Sequence, residues 1–329
     1  MSRSQIIHSP TVLLALLLAP SLLVAELSPA KLLAAGRVDD AIVTLQSRIA
    51  AAPNDAESQN LLCRAYFALT NWDASITACQ KAVALEPANS QYHLWLGRAY
   101  GEKADHSSFF FAIGLAKKVR IEFETAVRLD PGNVEAHADL ADYYVQAPGM
   151  LGGGTDKAAA QAQQLISLDP AEAHLVRAQI AEKDNDQVLA ESELRAAIQA
   201  SGGKAGTWMN LAQFYRRTNR LDQMQEAIQH ATSAQESQHV LLTAAEVLIQ
   251  TQRNLPTVVD LLRRYLANEM VEDAPAFRAH YLLGSLLEQQ GNIQAAIQEY
   301  RIAISLARDF TLAQSALRRL DRRADVPSR

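Results

Sequence analysis

The sequence predicts an all-α fold in which antiparallel helix pairs stack side by side into a superhelical array. Three observations carry that expectation: a recurring proline-terminated segment, small residues at fixed distances before each proline, and a composition rich in helix formers. The endings are AAAP at Pro53, ALEP at Pro87, RLDP at Pro131 and SLDP at Pro170. Pro53 to Pro87 spans 34 residues, Pro87 to Pro131 spans 44, and Pro131 to Pro170 spans 39. A period of this size marks a repeat architecture, in which each unit buries its apolar face only against its neighbours. Alanine, leucine and glutamine dominate the 329 residues and only 6% are aromatic, which suits cores made by close helix approach.

Counting back from each proline places small residues where two helices must touch. The second unit has Leu62, Cys63 and Tyr66 on one helix and Ser75, Cys79 and Ala82 on the next. The third has Leu96, Gly97 and Tyr100, then Val119, Phe123 and Ala126; the fourth has Leu140, Ala141 and Tyr144, then Ala158, Ala162 and Leu165. Near the C-terminus the pattern returns as Leu283, Gly284, Leu287, Gly291, Ala296, Tyr300 and Ala303. Weaker units show at Ala41 and Leu45, at Ala178 to Ala197, at Trp208 to Ala231 and over about 237–269. These residues resemble the tetratricopeptide-repeat (TPR) family over about residues 28–308. The resemblance implies a TPR superhelical solenoid of about eight helix-turn-helix repeats that binds protein partners on its concave face.

The expected boundaries are a signal peptide over 1–25, the repeat array over 26–308 with insertions near 102–116 and 147–157, and a capping helix and tail over 309–329. Arg3 followed by the apolar stretch Thr11–Ala25 predicts export, with cleavage after Ala25; an uncleaved membrane anchor is the alternative. The stretch is short for a span, which takes roughly 20 residues. No cysteine lies near it, so no lipoprotein-type attachment is expected. At the other end Leu312, Ala316, Leu317 and Leu320 are expected to face inward, and Arg318, Arg319, Arg322 and Arg323 to face solvent. A polar-backed last helix lets a solenoid end without a sticky face.

With 31 Lys+Arg against 36 Asp+Glu, the chain lacks the basic excess of a nucleic-acid binder, and no nucleic-acid partner is expected. The segment PGMLGGGTDKA lacks the Lys-Ser/Thr pair that a phosphate loop needs after its last glycine. It reads as a turn in which Thr155 caps the next helix. The eight histidines show no metal-ligand spacing and read as surface or groove residues, and no GxSxG elbow occurs. No enzyme activity, cofactor or metal is expected.

Cys63 and Cys79 face each other in this register, so they form either a disulfide or two buried thiols packed as small hydrophobes. The ten-residue excess of the third unit predicts a second helix that starts ten residues early, capped by Ser107 or Ser108 and carrying Phe109, Phe110 and Phe111 on an overhang of about 15 Å. The neighbouring insertion near Met150 and Leu151 falls on the same edge. The two are expected to pack together, a partner-binding patch on the overhang being the alternative. Asn60, Arg64, Phe67, Gln91, Trp95, Arg98, Asn210, Gln213, Arg216 and Arg217 are expected on the concave face, where Arg, Asn and Gln can grip a peptide backbone or carboxylate. Asn60 and Arg64 stand where co-chaperones of this family carry a Lys–Asn clamp, so that ligand is not expected.

The run from LAKKVRIEFETAVRLDPGN through YYVQAPGMLGGGTDKA is similar to that of exported bacterial TPR proteins. The expectation is therefore an exported, periplasmic scaffold or adaptor for assembly of an envelope or secretion complex. A self-associating structural subunit using the phenylalanine overhang is its rival.

Overall fold

The structure, a computed structural model, describes residues 27–234, 238–268, 271–272 and 275–324. The expected leader and the end of the tail lie outside the described residues. Among those described, the chain forms seventeen α-helices, one 3-10 turn and no strand. They pair as α1 (Pro29–Ala34) with α2 (Val38–Ala51), α3 (Ala56–Ala68) with α4 (Trp72–Leu85), α5 (Ser90–Asp105) with α6 (Phe109–Leu129), and α7 (Val134–Gln146) with α8 (Thr155–Leu168). Then follow α9 (Pro170–Lys183) with α10 (Gln187–Ala200), α11 (Ala205–Arg217) with α12 (Leu221–Ser233), α13 (Gln238–Gln250) with α14 (Leu255–Leu266), and α15 (Ala276–Gln289) with α16 (Ile293–Leu306). The seventeenth, α17 (Thr311–Ala324), closes the array.

Local sequence sets the punctuation. Asp55, Asn71, Asn89, Asn133, Asp169 and Asp186 each accept a backbone N–H at a helix start, satisfying donors that the helix itself cannot. The turn inside each regular pair carries a left-handed residue: Gly36, Thr70, Asn185, Asn219, Gln252 and Gly291 all have positive φ, with Asn254 a second one beside Gln252. Thr155 is the first residue of α8 and makes no cap bond; Gly154 holds the cap position that Thr155 was expected to fill. The turn still needs glycine, because a Cβ on Gly153 would lie 1.8 Å from the Ala147 carbonyl oxygen.

The expected small positions carry the packing. Ala82, Ala126, Ala158, Ala190, Ala197, Ala231, Ala296 and Ala303 are fully buried. A Cβ on Gly97 would come 2.4 Å from the Phe123 ring, and one on Gly284 would come 2.8 Å from Tyr300. Polar ties link successive units: Gln80 Nε2 and Arg195 Nη2 donate to the hydroxyls of Tyr100 and Tyr215 at 2.8 Å, and Tyr144 donates to Glu124 at 2.9 Å. Four histidines tie the two helices of a unit together. His93, His137, His174 and His280 bond Glu122, Gln161, Glu193 and Glu299 at 2.6, 2.7, 2.6 and 2.7 Å. His93 and His137 are buried, six residues after Pro87 and Pro131, and each also bonds that proline's carbonyl at 3.0 Å. They are structural ties, not surface or groove residues as expected.

The inserted residues distribute differently from the expectation. Against α3 and α4, with 13 and 14 residues, α5 has 16 and α6 has 21. Three of the ten extra residues therefore lengthen the first helix, and the overhang of α6 is seven residues, about 10 Å. The five extra residues of the fourth unit lie in its central loop, with a 3-10 turn at Gly149–Leu151. Phe109, Phe110 and Phe111 remain 72%, 85% and 75% exposed and Met150 82% exposed, so the expected packing of the two insertions into a satellite core does not form. At the C-terminus Ala316 and Leu320 bury against the array and Leu317 is half-buried, as expected, while Leu312 is exposed and Ala313 is buried in its place.

The array is not the elongated, open one that the repeats suggest. Its ends meet. Leu32, Leu33 and Val38 share one apolar core with Phe277, Ala303, Ala307 and Phe310 of the eighth unit and its exit. The Arg308 amide donates to Asp39 Oδ2 at 2.8 Å, and Arg64 forms a forked ion pair with Glu272 at 2.7 and 2.5 Å. Gly36 has φ +68°, and a Cβ there would stand 2.8 Å from the Ala276 nitrogen. Gly36→Val is therefore expected to part the ends, at a cost of about 2 kcal/mol or more. Small-angle scattering should show a larger radius of gyration with the helical circular-dichroism signal kept; an unchanged radius would show that the contact does not hold the ring.

Cys63 and Cys79 join α3 to α4 as a disulfide with Cα atoms 5.1 Å apart, and Ser75 Oγ donates to the Cys63 carbonyl at 3.0 Å beside it. Closing a loop across 16 positions stabilises by about 3 kcal/mol in the chain-entropy model. Thiol titration of the denatured protein is expected to find no reactive thiol without reductant and both cysteines after reduction, with a lower melting temperature. Two reactive thiols before reduction would contradict the pairing.

Candidate functional site: an acid-lined groove inside the ring

First helices of the units line the inside of the ring, and in the second to fourth units α3, α5 and α7, with residues of α6 and of the loop after α7, bound a groove of about 530 Å³. Its apolar wall comes from Phe67, Val119, Phe123, Tyr143 and Leu151. Its polar wall is mostly acidic: Glu102 and Asp105 on α5, Asp139 and Asp142 on α7, with Arg98 among them. Arg98 is already committed, bonding Asp139 at 2.6 Å and Glu135 at 2.9 Å. Asp142 is held by amides instead, accepting from Gln146 at 2.8 Å and Gln179 at 3.4 Å. Burial pushes the carboxyls of Glu102, Asp139 and Asp142 up from their ordinary values. A desolvated carboxylate is stabilised by an incoming cation or hydrogen-bond donor.

A smaller recess of about 170 Å³ lies further round, between α9 and α11, lined by Glu172, Gln179, Glu182, Asn210, Gln213 and Arg217. Arg217 pairs with Glu182 at 2.8 Å. Burial first, and the charges of Asp169 and Asp139 second, raise the Glu172 pKa to about 7.

The ten expected concave residues therefore divide. Phe67 and Arg98 line the groove, and Asn210, Gln213 and Arg217 line the recess. Trp95 sits between two guanidinium groups, Arg64 at 5.0 Å and Arg98 at 5.1 Å from its ring centre, and packs edge-on against Phe67. Arg64 is spent on Glu272 in closing the ring, and Asn60 is buried. Gln91 is exposed in the first turn of α5; Arg216 Nε is buried without a partner. The acids were missed by the sequence reading. Their signal was present: Arg98, Glu102 and Asp105 repeat the spacing of Glu135, Asp139 and Asp142, which puts each trio on one helix face. Among the described residues no group of three His, Cys, Asp or Glu side chains could hold a metal ion, and no helix is long and apolar enough to cross a membrane.

Paired helices, a left-handed residue at the turn, and first helices lining the inner wall define a helical-repeat protein of the solenoid class. Tetratricopeptide-repeat models match residues 32–100, 205–238 and 259–309, and the chain belongs to the tetratricopeptide-repeat family. The stretch that carries both insertions lies between these matches. Yeast Tom70 has the same fold, with a TM-score of 0.54 at 15% identity, covering 88% of this chain and 60% of that one. A thermophilic TPR protein of Thermus thermophilus is similar at 20% identity, with a TM-score of 0.47 and coverage of 56% of this chain and 96% of that one. No curated protein sequence matches the chain.

Glu172 gives this wall a pH signature. The folded chain holds its proton more tightly than the unfolded chain, whose value is near 4.5. Its contribution to stability is complete below the unfolded value and is lost as pH rises through about 7. Glu172→Gln is expected to flatten the pH dependence of stability between these limits by on the order of 1–3 kcal/mol, read by urea melts at several pH values. A slope identical to that of the parent chain would contradict it.

Proposed function

We propose that this chain is a non-catalytic protein-interaction scaffold of the bacterial envelope, and that its groove takes an extended segment carrying Lys or Arg from a partner protein. The observation that carries the reading is the groove's wall, where four carboxylates meet one arginine and that arginine is already paired. An incoming ammonium or guanidinium would relieve the carboxylates, and Phe67, Phe123 and Tyr143 would take an adjoining apolar side chain. The family favours this use, since stacked helix pairs present a preformed inner surface to other proteins. An envelope location rests on Arg3 and the apolar stretch Thr11–Ala25, and a role in assembly of an envelope or secretion complex follows as the use such a scaffold would have there.

The test is binding of a fluorescent peptide of alternating Lys and Leu, against its Glu and Leu counterpart. The basic peptide is expected to bind, more weakly at high salt, and the acidic one not to bind. Asp139 is paired in the structure, so the informative change is Glu102→Gln with Asp142→Asn, expected to weaken binding roughly tenfold or more. Equal binding of the two peptides, or no effect of the double change, would count against the groove. Crosslinking in the native envelope followed by mass spectrometry would then identify the partner.

A further inference from the structure

The first turn of α6 is the most exposed apolar feature of the described residues. Phe109, Phe110 and Phe111 are 72%, 85% and 75% exposed, and no other three consecutive large hydrophobic residues among those described are comparably open. Phe109 and Phe110 touch edge-on, with ring centres 5.7 Å apart. Consecutive residues on a helix point about 100° apart, so three of them cover about 200° of its circumference. A protein groove covers a narrower stripe, of the kind marked by residues three and four apart. A groove would leave at least one of these rings in water. The tip needs an environment that surrounds it.

Charge narrows the choice. From Phe109 to Ile121 the helix carries Lys117, Lys118 and Arg120 and no acid; the acids nearest in sequence before it are Glu102 and Asp105 on α5. Lys117 and Lys118 are exposed, and Lys118 Nζ lies over the Tyr100 ring at 5.0 Å. They follow Phe109 by eight and nine residues, about 12–14 Å along the axis. With α6 standing end-on and its tip about 5–10 Å below the headgroup boundary, that axial offset places these lysines at the level of the lipid phosphates.

We propose that the Phe109–Phe111 tip of α6 is a membrane-surface anchor that inserts into a bilayer containing anionic lipid. The tip docks the ring on the membrane whatever the groove holds, and does so independently of the N-terminal apolar segment. It lies at the edge of the array, and none of its three phenylalanines lines the peptide groove.

Full-length protein with Phe110→Cys, labelled with an environment-sensitive fluorophore, reads the tip alone, because Cys63 and Cys79 are tied to each other. Vesicles of phosphatidylcholine with phosphatidylglycerol are expected to shift the emission to the blue. Adding Phe109→Ser and Phe111→Ser should abolish the shift. Lys117→Glu with Lys118→Glu should raise the lipid concentration for half the shift roughly tenfold, an effect lost on phosphatidylcholine alone. A label that stays solvent-like while the protein sediments with vesicles would overturn the proposal, since the N-terminal segment would then be the anchor. So would protein that does not sediment with vesicles at all. A blue shift that grows with protein concentration in the absence of lipid would also overturn it, because a second copy would then be covering the tip.

Discussion

The structure depends on how closely the two helices of each unit approach, and that distance is set by single hydrogens and methyl groups. Gly97 faces the edge of the Phe123 ring and Gly284 faces Tyr300, with no room for a Cβ at either place. Alanines with no exposed surface do the same work in the other units. A packed interior has no slack to absorb an added methyl group, so one small residue fixes the spacing and crossing of two helices. Because every unit repeats the arrangement, each adds a similar rotation, and eight such rotations bring the first unit round to the last.

Closure changes what the inner residues are for. In an open superhelix an arginine on a first helix faces solvent or a ligand; here Arg64 faces Glu272, 208 positions away, and is consumed in holding the ends. Arg98 is similarly consumed by Asp139 and Glu135. With the cations paired, the surplus on the inner wall is carboxylate, and enclosure removes the water that would have solvated it. The raised pKa values of Glu102, Asp139, Asp142 and Glu172 all follow first from burial.

The insertions act where the array is least constrained. Lengthening α5 and α6 together keeps their contact in register along the added length, while the tip of α6 runs past any neighbour. Lengthening a loop, as in the fourth unit, leaves α7 and α8 at regular size and adds the Leu151 side chain to the groove wall. The same number of added residues would break the stacking if placed inside a single helix of a pair, because the partner helix could not follow.

Much of this was legible in the residues themselves. Proline endings, small positions and turn residues are local, so the period, the eight helix pairs, the early start of α6 at Phe109 and the opposition of Cys63 to Cys79 could all be read along the chain. The histidine ties at His93 and His137, six residues after their prolines, were equally legible and were missed because they were sought as metal ligands. What the tertiary structure alone decided was long-range. The meeting of Gly36 with Ala276 and of Arg64 with Glu272 depends on the sum of small rotations over eight units, and a sum of that kind is fixed by packing geometry that no local pattern encodes. The exposure of the phenylalanine tip belongs to the same class: whether the second insertion covers the tip of the first depends on the directions in which the two leave the array, not on the residues they carry.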